Sequence, residues 1–241
     1  MEIKTVDLTK KYKDFIAVDK LNLSIKSGEL FALLGTNGAG KTTTIKMLSC
    51  LTKPTSGNAY IFGKSILSES HDVKKMIAVS PQESAVAPNL SVEENLSLMC
   101  GIYGFSKEVA QEKIKKCANT LGLCDFLSKK AGKLSGGQKR RVSIAMALIS
   151  EPKVLFLDEP TLGLDVISRR ELWDIIFKLK GKVTIILTTH YMEEAEKLSD
   201  RVGVMQNGKL LAVGEPNELV AKTGATRFED AFVSIVKGCE I

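Results

Sequence analysis

Four short, almost wholly apolar runs punctuate the chain, at residues 30–34, 77–79, 154–157 and 183–187. None alternates apolar with polar, so each predicts a strand covered on both faces. Helical stretches lie between them, and this order predicts an α/β fold with a largely parallel sheet. Residues 1–25 and 203–213 read instead as antiparallel meanders, with turn signals at Lys26-Ser27-Gly28 and Gln206-Asn207-Gly208.

The middle of the chain differs. From about Ser84 to Ser150 no strand pattern occurs. Ser91-Val92-Glu93-Glu94 is a capping-box start for a helix. Ser106 can cap another, in which Ala110, Ile114, Cys117, Ala118 and Leu121 form one apolar stripe before Gly122 ends it. That stripe reads as core, so a helical insert interrupts the α/β core.

Composition narrows the class. Apolar residues make up 44% of the 241, charged residues 26% and aromatics 6%, an ordinary globular balance. A chain this long buries roughly 70% of its unfolded surface. Lys+Arg 34 against Asp+Glu 28 leaves +6, spread along the chain, which gives no case for nucleic-acid binding. Cysteines 50, 100, 117, 124 and 239 show no CxxC spacing, and there are only two histidines. Reduced thiols in a cytosolic protein fit better than a zinc site or a disulfide framework. The first residues, MEIKTVDLTKKYK, lack the apolar stretch of a secretory signal. The apolar runs fall far short of the roughly 18 residues that span a bilayer. The chain is not expected to cross a membrane on its own; if it serves one, it does so as a peripheral subunit.

One strand–loop–helix carries the first chemistry. Residues 30–34 run into Gly35-Thr36-Asn37-Gly38-Ala39-Gly40-Lys41-Thr42, and 43–48 continue with helical character. This is the G-x-x-x-x-G-K-[ST] pattern in its required context. Its glycines let successive amides turn around an anion, and the helix start adds a positive dipole end. Lys41 can neutralise β- and γ-phosphates, and the Thr42 hydroxyl is a hard oxygen suited to Mg2+. Dinucleotide folds use a different glycine order and no lysine.

Val154-Leu155-Phe156-Leu157-Asp158-Glu159 is an apolar strand ending in two carboxylates. Strand alternation sends Asp158 and Glu159 to opposite faces, one toward a metal and the other toward an attacking water. A phosphate loop alone leaves GTPases, kinases and motor ATPases open. Leu134-Ser135-Gly136-Gly137-Gln138, ahead of a helix expected over 139–149, closes most of them. Ser135 and the next two amides form a second anion-ready helix start. One chain with one nucleotide has little use for two such cradles, whereas two chains placed head to tail do. Lys139-Arg140-Arg141 reads as a solvated helix face.

On these motifs the chain resembles, over essentially its whole length, the nucleotide-binding domain of ATP-binding cassette (ABC) transporters. The resemblance implies a P-loop NTPase (RecA-like) core, 1–83 and 151–215, with an antiparallel β subdomain. It also implies an inserted helical signature subdomain, 84–150, and a C-terminal extension, 216–241. It makes Gly35, Asn37, Gly38, Ala39, Gly40, Lys41, Thr42 and Thr43 the Walker A cradle, and 154–159 Walker B. Ser135, Gly136, Gly137 and Gln138 become the signature contacts, and Asp165 the D-loop residue. Tyr12, taken to lie before the first long strand and by position alone reading as a half-buried strand aromatic, takes the place that stacks on adenine. Gln82 matches the Q-loop glutamine, which with Thr42 and Asp158 attends the metal. His190, by itself an ordinary histidine after an apolar strand, matches the switch histidine, and Glu159 the catalytic glutamate. Thr36 replaces a common proline, at a side chain the chemistry does not use.

Thr188–Asp200, with THYMEEAEKLSD as its core, is similar to the ABC-2 or drug-resistance exporter branch. So are Gln206–Leu210, Gly214-Glu215-Pro216 and the tail around Phe228 and Phe232, a short helix expected to pack on the core. Chromosome and DNA-repair ATPases place a long coiled coil between Walker A and the signature, where here only residues 43–133 intervene. The resemblance therefore implies an ATP- and Mg2+-dependent ATPase subunit, working with a second cassette and a membrane permease. Its place would be cytoplasmic, peripheral on the inner face of the cell membrane. The alternative is a soluble cassette with a non-transport or regulatory role.

Overall fold

The computed structural model describes residues 3–238, so Cys239 and the last residues of the expected extension lie outside it. In chain order the elements begin with β1 (Ile3–Tyr12), β2 (Phe15–Leu21), β3 (Ser24–Ile25), β4 (Leu30–Leu34), α1 (Lys41–Leu48), β5 (Ser56–Ile61) and β6 (Lys64–Ser65). Then come α2 (Ser70–Met76), β7 (Ile77–Ser80), α3 (Val92–Ile102), α4 (Lys107–Leu121) and α5 (Gly136–Leu148). β8 (Val154–Asp158), α6 (Val166–Leu179), β9 (Thr184–Thr189), α7 (Met192–Leu198), β10 (Arg201–Gln206), β11 (Lys209–Gly214), α8 (Pro216–Thr223) and α9 (Phe228–Lys237) complete it.

Two sheets result. The first is antiparallel, in the order β2-β1-β5-β6 with β3 also on β1. The second runs β11-β10-β4-β9-β8-β7 and is parallel from β10 to β7, with β11 antiparallel at its edge. Strand alternation divides its side chains between two cores. Leu30, Ala32 and Leu34 of β4 face the helical side, together with residues of α3 to α6, whereas Phe31 and Leu33 face α1 and the antiparallel sheet. All five β4 residues are inaccessible to solvent, which is why the run lacks polar positions. Each such Leu or Phe contributes about 1.5–3 kcal/mol over leaving it exposed.

The helices obey their capping residues. Ser91 and Glu94 form the capping box of α3, Ser106 caps α4, and Gly122 ends α4 in the left-handed region. Ile114, Cys117, Ala118 and Leu121 are buried, so the stripe is core. Phe228 and Phe232 of α9 are also buried. Among the described residues, no helix is long and apolar enough to cross a membrane.

Three expectations are corrected. The helix expected over 139–149 begins at Gly136, because Ser135 and Gln138 cap it reciprocally. Tyr12 does not precede the first long strand but ends it. Arg140 is not on a solvated face: it is 4% exposed, and Lys139 and Arg141 are half-buried.

Candidate functional site

Parallel strands β4, β8 and β9 end together, with Leu34 paired to Thr189 and Asp158 to Thr188. The segments leaving these three strands are therefore delivered to one sheet edge, where open α/β sheets place ligands. The Gly35–Gly40 loop turns there into α1. Gly40, the N-cap, has φ 103°, and a Cβ on it would meet the Ala17 carbonyl oxygen at 2.4 Å. Only glycine fits both conditions.

Lys41 is buried, and its ammonium donates to the carbonyls of Gly35 (2.8 Å) and Thr36 (3.1 Å). It also lies 3.2 Å from Glu159 Oε1. The other carboxylate oxygen, Oε2, is 2.6 Å from His190 Nδ1. An ionised carboxylate only accepts, so the hydrogen sits on Nδ1. Lysine, glutamate and histidine thus form one linked row.

Asp158, beside them, accepts from the Thr42 hydroxyl at 3.1 Å and the Thr188 hydroxyl at 2.5 Å, both on Oδ1. Glu159 does not continue the strand as alternation would have it. Its φ is 48°, a left-handed turn that costs a non-glycine residue about 1–3 kcal/mol. The two carboxylates are separated by that turn, not by the strand pleat.

A cavity of about 350 Å³ opens over this row, lined by residues 37–42 together with Gln82, Glu159, Leu162 and His190. Gly35 and Thr43 flank it without lining it. Tyr12, at the end of β1, is half-exposed and carries the Lys10 ammonium 4.9 Å over its ring; it does not line the cavity either.

The remaining expected residues form a second surface. Ser135 Oγ accepts from the Gln138 amide, and Gln138 Oε1 from the Ser135 amide. Gly137 packs so closely on α6 that a Cβ there would meet Ser168 Cβ and Oγ at 2.9 Å. Asp165 caps α6, accepting from the amides of Ile167 and Ser168 at 2.9 Å and from the Ser168 hydroxyl at 2.7 Å. Those bonds, first the Ser168 amide, hold its carboxyl below the usual range. Ser135–Gln138 and Asp165 are thus neighbours of one another, and none of them lines the cavity.

Three buried polar residues that the motifs did not single out tie these parts together. Arg140 donates through Nη1 to the carbonyls of Pro81 and Gln82, and through Nη2 to that of Asp158 at 2.8 Å. Burial draws its guanidinium down to about 10. Helical spacing with buried Gly137 and Ile144 is the signal that would have placed Arg140 inward. Glu194 Oε1 accepts from the Thr161 hydroxyl at 2.9 Å and Trp173 Nε1 at 3.0 Å, and burial raises its carboxyl above the usual range. Thr188, fully buried, bonds both Asp158 and the Glu159 amide.

The family model described as ABC transporter matches residues 18–162. The chain belongs to the ABC transporter family and is an ATP-binding cassette with the P-loop α/β fold. It is 40% identical over 240 residues to the "Probable multidrug ABC transporter ATP-binding protein YbhF" of Escherichia coli, covering 97% of this chain but 41% of that one. The chain thus spans about two fifths of the length of that relative. It is also 40% identical to the "Daunorubicin/doxorubicin resistance ATP-binding protein DrrA" of Streptomyces peucetius, over 92% of this chain and 68% of the relative. Among solved structures, an "ATP binding subunit of ABC transporter" superposes with a TM-score of 0.85 at 28% identity, covering 98% of this chain and 100% of that one. The cassette MJ0796, described as a dimer in a post-hydrolysis state bound to ADP and Pi, gives 0.79 at 29% identity, over 88% and 98%.

Proposed function

We propose that the chain hydrolyses ATP at a site shared between two cassettes and thereby drives a separate membrane permease, in the export direction. One observation carries the reading. The chain carries two phosphate-type motifs, the lysine–glutamate–histidine row beside the Gly35–Thr42 loop and the Ser135–Asp165 surface, yet only the first lines the cavity.

In this reading Asn37 to Thr43 cradle the phosphates, Lys41 neutralises them and Tyr12 stacks on adenine. Ser135, Gly136, Gly137 and Gln138 of a second copy close over the γ-phosphate, with Asp165 at the seam. Glu159 accepts the proton of the attacking water, and His190, oriented through Nδ1 by Glu159, holds the γ-phosphate as negative charge moves during transfer. Thr42 and Asp158 are oxygen donors within 3.1 Å of each other, and Gln82 lines the same cavity, a donor set that fits Mg2+. Mg2+ held there would offset phosphate charge during transfer. The protein's own share is positioning and electrostatics.

The division into core (1–83, 151–215), helical subdomain (84–150) and extension (216–241) belongs to the same reading. The helical part turns about the Gln82 region and receives a short helix of the permease near 84–103, where Leu98, Ile102 and Tyr103 are exposed. The place of work is the cytoplasmic face of the membrane, reached through that permease. Resemblance of residues 188–200 to drug-resistance exporters supports the direction.

Mixing decides the shared site. Lys41→Ala disables a chain's own loop, and Ser135→Arg disables what it lends its partner. Each variant alone should be inactive, while an equimolar mixture should regain roughly a quarter of the parent ATPase, because one composite site per mixed dimer stays intact. No recovery on mixing would overturn the paired site.

A further inference from the structure

Glu159 leaves β8 in a left-handed turn, so something must hold its backbone there. Its amide donates to Thr188 Oγ1 at 3.0 Å and to the Thr188 carbonyl at 3.2 Å. The same Thr188 hydroxyl donates to Asp158 Oδ1 at 2.5 Å. A hydroxyl has one hydrogen and a carboxylate has none, so the order runs from the Glu159 amide through the Thr188 hydroxyl to the Asp158 carboxylate. Thr188 is fully buried and stands opposite Asp158 in the β8–β9 ladder. Away from water, each bond in such a chain strengthens the next.

Packing does not call for this hydroxyl. The rest of the strand interior, Ile185, Ile186 and Leu187, is apolar and fully buried, and valine has the same shape and strand preference as threonine. An apolar residue would fill the volume, leaving the Glu159 amide with one weaker partner and Asp158 without its shortest hydrogen bond.

We propose that Thr188 is a positioning residue for both carboxylates: its hydroxyl locks the turn that aims the Glu159 side chain and sets the orientation of Asp158. The proposal rests on the hydrolytic reading above for its effect on turnover, and on backbone geometry alone for its effect on Glu159.

Thr188→Val deletes the hydroxyl at constant shape, and Thr188→Ser restores it. In the full chain, Thr188→Val should lower kcat at least about tenfold. Binding of a fluorescent ATP analogue in EDTA, which reports the Lys41 loop, should stay within about twofold. Hydrogen exchange of the Glu159 amide, followed by NMR, should speed up at least about tenfold while that of the Leu157 amide is unchanged. Thr188→Ser should return both quantities to within about threefold of the parent. Should Thr188→Val fail to fold, Thr188→Ala against Thr188→Ser makes the same comparison. The positioning role is overturned by unaltered Glu159 exchange in the hydroxyl-free variant, or by a serine variant no better than it. A parent chain without ATPase activity would instead overturn the hydrolytic reading, and the exchange comparison would still decide the role of Thr188.

Discussion

Lys41 Nζ lies 3.2 Å from Glu159 Oε1, and both side chains are buried. The residue expected to hold phosphate and the residue expected to activate water are thus ion-paired with each other. A buried pair gains little net energy, because desolvation offsets most of the Coulomb attraction. Phosphate oxygens bring charge and hydrogen-bond acceptors of their own, so they can take Lys41 over at small cost and release one oxygen of Glu159. Its other oxygen stays with His190 Nδ1. On the proposed reading, phosphate arrival at the row frees the base.

Glu159→Gln exposes that competition. Removing the charge takes away both the proton acceptor and the rival for Lys41. ATPase turnover should fall by about a thousandfold or more, while ATP affinity rises several-fold. Equilibrium titration with a fluorescent ATP analogue, alongside phosphate release, measures both. Weaker binding in this variant would contradict the competition.

Lys41→Ala should act in the opposite sense on binding. Losing a charge-assisted contact to two phosphates should reduce affinity by about a hundredfold, equivalent to roughly 2.7 kcal/mol. The same titration checks it, and an affinity within a few-fold of the parent would remove Lys41 from the phosphate site.

Much of this site is legible because its chemistry is written in local patterns. The strand ending at Leu34 followed by the glycine loop, and the apolar run ending at Asp158, are contiguous, and both reach the expected sheet edge. The start of α5 is harder to read, since two glycines argue against helix while the reciprocal Ser135–Gln138 cap overrides them. Strand β5 is hidden because Ser56-Gly57-Asn58 looks like a turn; its pairing with β1 supplies the missing constraint. Helical spacing alone marks Arg140 as inward, but Thr188 and Glu194 stay invisible for a different reason. Each is polar and buried through partners distant in sequence, a relation periodicity does not carry.

Arg140→Leu should be among the costlier core substitutions. The guanidinium bonds three carbonyls, one on β8 and two on the segment that carries Gln82, and leucine leaves all three without that donor. The loss should be about 3 kcal/mol, or roughly 10 °C in melting temperature for a chain of this size. Arg140→Lys should recover less than half of it, because an ammonium cannot span the fork. Calorimetry of the three proteins tests this, and a lysine variant as stable as the parent would show that charge alone suffices.

Far from the cavity, Glu151 joins the end of α5 to α4 through Lys116 (2.6 Å) and Lys113 (2.9 Å). Those bonds, Lys116 first, hold its carboxyl at about 2 against an ordinary 4.5. The folded-state value is the lower one, so the stabilisation is fully present above pH 4.5 and is lost as the pH falls from there toward 2. Because Glu151 is 53% exposed, solvent screening keeps its worth at neutral pH to about 1 kcal/mol or less. Glu151→Gln should therefore melt slightly below the parent at pH 7 and converge with it toward pH 2. At about 1 M salt the gap at pH 7 should shrink, since a Debye length of about 3 Å screens exposed charges. Parallel melting curves across that range read the effect directly, and a gap that widened on acidification would mean the pair is not what joins the two helices.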